Sequence, residues 1–123
     1  MGYRSEVVFA IDKDIVPLFI AHIASNTAAQ TLCFKHSDHH TKDYQGEGHW
    51  LFRWDHIKWY DTFEEVEAIQ DFIQWCEDEQ IEVDGKQVNA DEYYRFVRIG
   101  EEMDDNETQG WGFDIHIERS ATY

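Results

Sequence analysis

The sequence predicts an α+β fold: an antiparallel sheet with two helices packed on one face, ferredoxin-like βαββαβ plus an extra C-terminal edge strand. Three observations predict it. Residues 111–117 alternate Trp111, Phe113, Ile115 and Ile117 with Gly112, Asp114, His116 and Glu118, the period of a half-buried strand. Residues 59–84 instead place apolar side chains three and four apart, the period of a helix. The segments in chain order read β-α-β-β-α-β-β. At 123 residues the chain is long enough for one domain around one core.

Residues 3–11 read as the first strand, with Val7, Phe9 and Ile11 on one face. Asp14 is the expected cap of a helix over about 15–26, since Pro17 is tolerated only in a first turn. Val16, Phe19, Ile20 and Ile23 form its apolar side. Residues 30–36 read as a second strand, and the polar run from Ser37 to Gly48 as a loop. Residues 49–54 read as a third strand, with Trp50 and Trp54 facing the core.

The second helix is expected at 62–79. Phe63, Val66, Ile69, Phe72, Ile73 and Cys76 make its buried stripe, and Asp61 or Thr62 its cap. Thr62 with Glu65 has the spacing of a capping box. Glu64, Glu67, Asp71 and Asp78 fall on the opposite face, a row of carboxylates roughly 20 Å long at helical rise. Asp84-Gly85 marks a turn, residues 85–92 a polar connection, residues 93–99 a strand, and the acidic run from Glu101 to Gly110 a long hairpin loop leading to residues 111–117.

Charge is the strongest global signal. Up to Lys42 four acids (Glu6, Asp12, Asp14, Asp38) balance four bases (Arg4, Lys13, Lys35, Lys42), so the net −16 lies wholly in residues 43–123. A field of that sign repels nucleic acid and membrane surfaces and attracts basic proteins. An acidic surface also serves solubility, but a magnitude of about 2–8 suffices for that in a small domain. Five Trp and eight Phe argue against a disordered acidic tail. No run is apolar enough for a membrane span or a signal-peptide core, which predicts a cytoplasmic protein. Cys33 and Cys76 fit core thiols in a reducing compartment.

The search for chemistry yields little. His36, Asp38 and His40 alternate, so an extended strand would set two imidazoles and a carboxylate on one face as a metal triad, with His39 or His49 near. No H-E-x-x-H or paired C-x-x-C supports it, and loops collect His and Asp without purpose. There is no G-x-S-x-G, P-loop or G-x-G-x-x-G, and the many carboxylates single out no acid–base pair. The balance is against an enzyme, and no cofactor is implied. Arg95 and Arg98 lie on opposite faces of one strand and call for carboxylate partners such as Glu101, Glu102 or a helix acid. Trp59 and Tyr60 flank the helix start, where one of them can be exposed as an interface anchor.

The opening M-G-Y-R-S-E-V, the I-K-W-Y before the acidic helix, and Y-R-F-V-R-I-G-E-E followed by D-D-N-E resemble a group of small phage and prophage proteins that open with M-G-Y-R-S and carry a Y-R-F-x-R-I-G-E segment. The likeness covers both ends and the middle, not residues 25–48. It implies a viral or mobile-element origin, and no catalytic residue carries over. Small acidic phage proteins are often inhibitors of host proteins.

The functional expectation is therefore an interaction protein that binds a basic, nucleic-acid-binding surface of a host protein, such as a defence nuclease, by nucleic-acid mimicry in the host cytoplasm. The expected partner-binding residues are Asp61, Glu64, Glu67, Asp71, Asp78, Glu101, Glu102, Asp104, Asp105 and Trp59, with no direct contact to nucleic acid or membrane. The alternatives are a metal protein using His36, Asp38 and His40, and a self-associating phage component, a homodimer formed through a sheet edge or exposed aromatics.

Overall fold

The computed structural model describes residues 3–102, 104–113 and 115, and the fold is α+β. Its strands are β1 (Ser5–Ile11), β2 (His39–Tyr44), β3 (His49–Ile57), β4 (Gln80–Val83), β5 (Lys86–Asn89), β6 (Tyr94–Ile99) and β7 (Asn106–Gln109). Its helices are α1 (Val16–Ile23), α2 (Thr27–Phe34) and α3 (Glu64–Asp78), with a 3-10 turn at Ala90–Tyr93. Five strands form one antiparallel sheet in the order β2-β3-β1-β6-β7, and β4 and β5 form a separate hairpin.

The alternation in β1 does what the sequence predicts. Val7, Phe9 and Ile11 are buried beneath the helices, and Phe9 meets Phe19 of α1 and Phe72 of α3 edge-on at 5.6 and 6.4 Å. Such edge contacts place the positive rim of one ring on the negative face of the next. Trp54 of β3 is fully buried and donates its indole N–H to the Leu32 carbonyl of α2 at 3.1 Å. Trp50 packs against the same core. Cys33 and Cys76 are buried free thiols.

Three helices cover the sheet face where two were expected. Most of the strand expected over 30–36 falls instead in a helix, Thr27–Phe34, because Asn26 caps it: its Oδ1 accepts the Ala29 N–H at 2.9 Å. Ala29, Leu32 and Cys33 are then buried three and four apart. α1 is correspondingly short, with Pro17 in its first turn as expected. No side chain caps it; Asp12, not Asp14, serves the local backbone, accepting the Asp14 N–H. Ile20 is exposed, off the buried stripe. Gln30 Nε2 donates to the carbonyls of Ile23 and Ala24 at 2.9 Å each, satisfying the open end of α1.

The segment expected to be a loop forms β2, an edge strand polar enough to face water on both sides. The Asp84-Gly85 turn holds: both residues have positive φ, 52° and 79°, as a two-residue hairpin turn requires. The expected polar connection after it is β5 and the 3-10 turn.

The expected strand over 111–117 is corrected. Trp111, Phe113 and Ile115 lie outside any strand, and Asp114, His116 and Ile117 fall outside the described residues. The place beside β6 belongs to β7, with Ile99 opposite Asn106 and Phe96 opposite Gln109. Gly110 turns the chain at φ +85°, and its added Cβ would strike the Tyr94 carbonyl. Gly112 then donates to that carbonyl at 2.9 Å and Trp111 to the Asp91 carbonyl at 2.8 Å. Arg95 fastens the segment from β6, donating to the carbonyls of Gly110 at 2.7 Å and Ile115 at 3.1 Å. Phe113 is buried against His49 and Tyr44.

Candidate acidic interface

α3 has the two faces its sequence promised. Val66, Ile69, Phe72, Ile73 and Cys76 are buried, while Glu64, Glu67, Asp71 and Asp78 are exposed. None of these four carboxylates is ion-paired among the described residues; Asp78 accepts only the amide of Gln74, at 3.0 Å. Three acids in the first turn favour the positive end of the helix dipole. The expected capping box is not formed. Phe63 occupies the N-cap position in extended conformation, with its N–H bonded to the Tyr60 carbonyl, so the helix starts one position too late for Thr62 to cap it. Asp61 is exposed just ahead of the helix.

The other acidic stretch is partly consumed inside the protein. Arg98 Nη2 lies 2.6 Å from Asp105 and 2.9 Å from Glu107, and its Nη1 also reaches Ser5 Oγ at 3.1 Å. These carboxylates hold the guanidinium proton more firmly, Asp105 contributing most. Asp105 also accepts the Tyr3 hydroxyl, which pushes the phenol above its ordinary range. Glu101 accepts the Arg4 backbone N–H at 2.9 Å, and Glu102 donates its own N–H to Tyr3 Oη. Asp104 is exposed. The arginine partners are thus Asp105 and Glu107, with backbone carbonyls for Arg95, in place of the expected Glu101 and Glu102.

Trp59 is corrected from surface anchor to core. It is only 7% exposed and packs, rings tilted, between Trp54 and Phe96, at 5.4 and 5.9 Å. Among the described residues the exposed large aromatic is Trp111, 76% accessible between two structural glycines. Its flanks were the signal: a tryptophan in G-W-G has no neighbouring side chains to shelter it.

The histidine triad is not assembled. Among the described residues no three His, Cys, Asp or Glu side chains group as metal ligands. His36 follows α2 outside any strand, so the alternation that would align it with His40 is lost. Asp38 Oδ2 is engaged by the Asp55 N–H at 2.6 Å, and His40 stacks on Phe52. His49 is buried for a structural purpose, its Nδ1 accepting the Lys13 N–H at 3.0 Å.

Comparison with models of known families, with curated proteins and with solved structures gave no match. No helix of the described residues is long and apolar enough to cross a membrane.

Proposed function

We propose that this chain is a small phage-type interaction protein, an inhibitor whose α3 face occupies a basic, nucleic-acid-binding surface of a host protein in the cytoplasm. One observation carries the reading: Glu64, Glu67, Asp71 and Asp78 form an exposed row with no ion-paired cation among the described residues. Such a row substitutes for phosphates at Lys and Arg sites and gains from the same counterion release. Asp61 extends it at one end. Glu101, Glu102 and Asp104 form a lesser flank, while Asp105 serves Arg98. The test is affinity capture from host lysate by the native chain and by a Glu64→Lys, Glu67→Lys, Asp71→Lys chain, washed at low and high salt. A defence or regulatory protein held by the native chain and released by the reversal supports the reading. Proteins held equally by both oppose it.

A second reading, self-association, is favoured by the exposed Trp111 and by β2 and β7, the edge strands of the sheet among the described residues. Sedimentation at several concentrations separates the two, since only self-association makes the mass concentration-dependent.

The finer fold assignment belongs with these proposals. β1 stands between β3 and β6, antiparallel to both, and β2 lies outside β3, an order that supports a ferredoxin-like βαββαβ core with β7 added at the edge. α2 and the β4–β5 hairpin are additions to that plan. The plan hosts many functions and decides none.

A further inference from the structure

A cleft of about 430 Å³ opens between the end of α2, the end of β3 and the start of α3. Leu32, Trp54, Ile57, Phe63 and Val66 supply apolar wall, and Arg4, Lys58, His36 and His56 supply basic groups. Two of the ten Lys and Arg residues of a chain of net charge −16 thus meet in one cleft. Its volume lies within the roughly 300–1,000 Å³ of small-molecule sites.

The two cations are the telling feature. Among the described Lys and Arg residues, those not fully exposed are Arg4, Lys58, Arg95 and Arg98. Arg95 and Arg98 have internal partners: two carbonyls for the first, two carboxylates and a hydroxyl for the second. The Arg4 guanidinium and the Lys58 ammonium have no hydrogen-bond or ion-pair partner among the described residues, although acids outnumber bases 26 to 10. Partly burying a cation without a counter-charge is costly. Two carboxylates line the same cleft. Asp38 is held in place by the Asp55 N–H and keeps its charge, and Glu65 is the second opposing charge.

From this geometry we infer a binding site for a small organic anion, a phosphate or carboxylate on an apolar body, with the anionic group at Arg4 and Lys58 and the body against Ile57, Phe63 and Val66. The cations supply charge-assisted hydrogen bonds, and the apolar wall excludes water around them. The site is separate from the exposed row on α3 and does not depend on how that row is used.

The test is calorimetry with amide-shift mapping on the full chain. The probes are phenyl phosphate and benzoate, which separate the two anion types, and inorganic phosphate, which lacks the apolar body. At least one aromatic anion is expected to bind and to shift the amides of Arg4, Lys58 and Val66, with inorganic phosphate at least about tenfold weaker. Arg4→Gln with Lys58→Gln is expected to weaken that binding at least about tenfold, the scale of losing charged hydrogen bonds. Glu65→Gln, which removes one opposing charge, is expected to tighten it, and this variant decides the matter if the double variant folds poorly. No aromatic anion bound below about 10 mM would overturn the inference. So would shifts confined to another surface, inorganic phosphate binding equally well, or affinity indifferent to the cations and to Glu65.

Discussion

Arg98 Nη2 lies 2.6 Å from Asp105 Oδ1, and this pair ties β6 to the turn that launches β7. The Arg98 side chain is 11% exposed, and Tyr3 donates to the second carboxylate oxygen at 2.5 Å. The contact therefore joins the N-terminal segment, β6 and the β6–β7 turn through one partly buried carboxylate.

Arg98→Ala is expected to cost about 2 kcal/mol, since it strands Asp105 and Glu107 beside each other without their cation. Asp105→Asn is expected to cost less, because an amide oxygen still accepts from Tyr3. Urea unfolding of both variants and of the double variant measures the coupling. A loss below about 0.5 kcal/mol for Arg98→Ala would reduce the pair to the worth of an ordinary surface ion pair.

Trp59→Ala is expected to destabilise the chain by about 3–5 kcal/mol, the range for truncating a buried aromatic. The ring touches Trp54 and Phe96 in the core, so the loss is one of packing. A thermal melt with an unchanged midpoint would return Trp59 to the surface.

Burial pushes the Cys33 and Cys76 thiols up to about 12 from an ordinary 9.0, and burial with the Glu77 contact raises the Tyr94 phenol as well. The folded chain keeps protons that the unfolded chain releases. Stability from the two thiols is thus complete below about pH 9, declines above it, and is lost as pH passes about 12. The urea midpoint is expected to fall between about pH 8 and 11, and both thiols to resist a thiol reagent near pH 8 until the chain unfolds. Rapid labelling of native protein would contradict their burial.

The histidines separate into two kinds. His36→Ala with His40→Ala is expected to change stability by no more than about 0.5 kcal/mol, since both side chains are exposed. His49→Ala removes the acceptor of the Lys13 N–H and the ring against Phe113, and is expected to cost about 2 kcal/mol or more. Zinc copurifying at one ion per chain, and lost in the double variant, would overturn the first expectation.

What was legible in the sequence is what periodicity writes. The stripe in α3 and the alternation in β1, β3 and β6 depend on simple burial of one face. The failures come where a single local contact outweighs the pattern. Asn26 capping Ala29 turned an apparent strand into α2. Gly110 and Gly112, with Arg95 donating to two carbonyls, folded residues 110–113 back over the start of β6 despite their strand-like alternation. Strand β2 was hidden because an edge strand needs no apolar face. The acidic row could be read from spacing alone. The lack of ion pairs along it among the described residues, and the partly buried Arg4 and Lys58 whose side chains lack partners there, required the fold.

The acidic row makes the most exposed prediction. Glu64, Glu67 and Asp71 are exposed and have no ion pairs among the described residues, so replacing all three by Lys is expected to leave the fold intact. Reduced self-repulsion opposes the loss of favourable helix-dipole interactions at Glu64 and Glu67, so the net stability change is expected to be small. Binding to a basic partner acts through long-range attraction. The reversal is therefore expected to slow association strongly and to flatten the slope of log affinity against log salt. Reversal of Glu6 and Asp12, in the charge-balanced N-terminal part, is the control and is expected to do much less; Glu6 also pairs with Arg53, so its effect on stability is measured alongside. An interface built on Trp111 makes the opposite forecast: Trp111→Ala would speed dissociation and leave the salt slope alone. If the triple reversal changes neither affinity nor salt slope toward an identified partner, α3 is not the mimicking surface. Its charge then serves solubility, and the contact lies at Trp111 or along Glu101, Glu102 and Asp104.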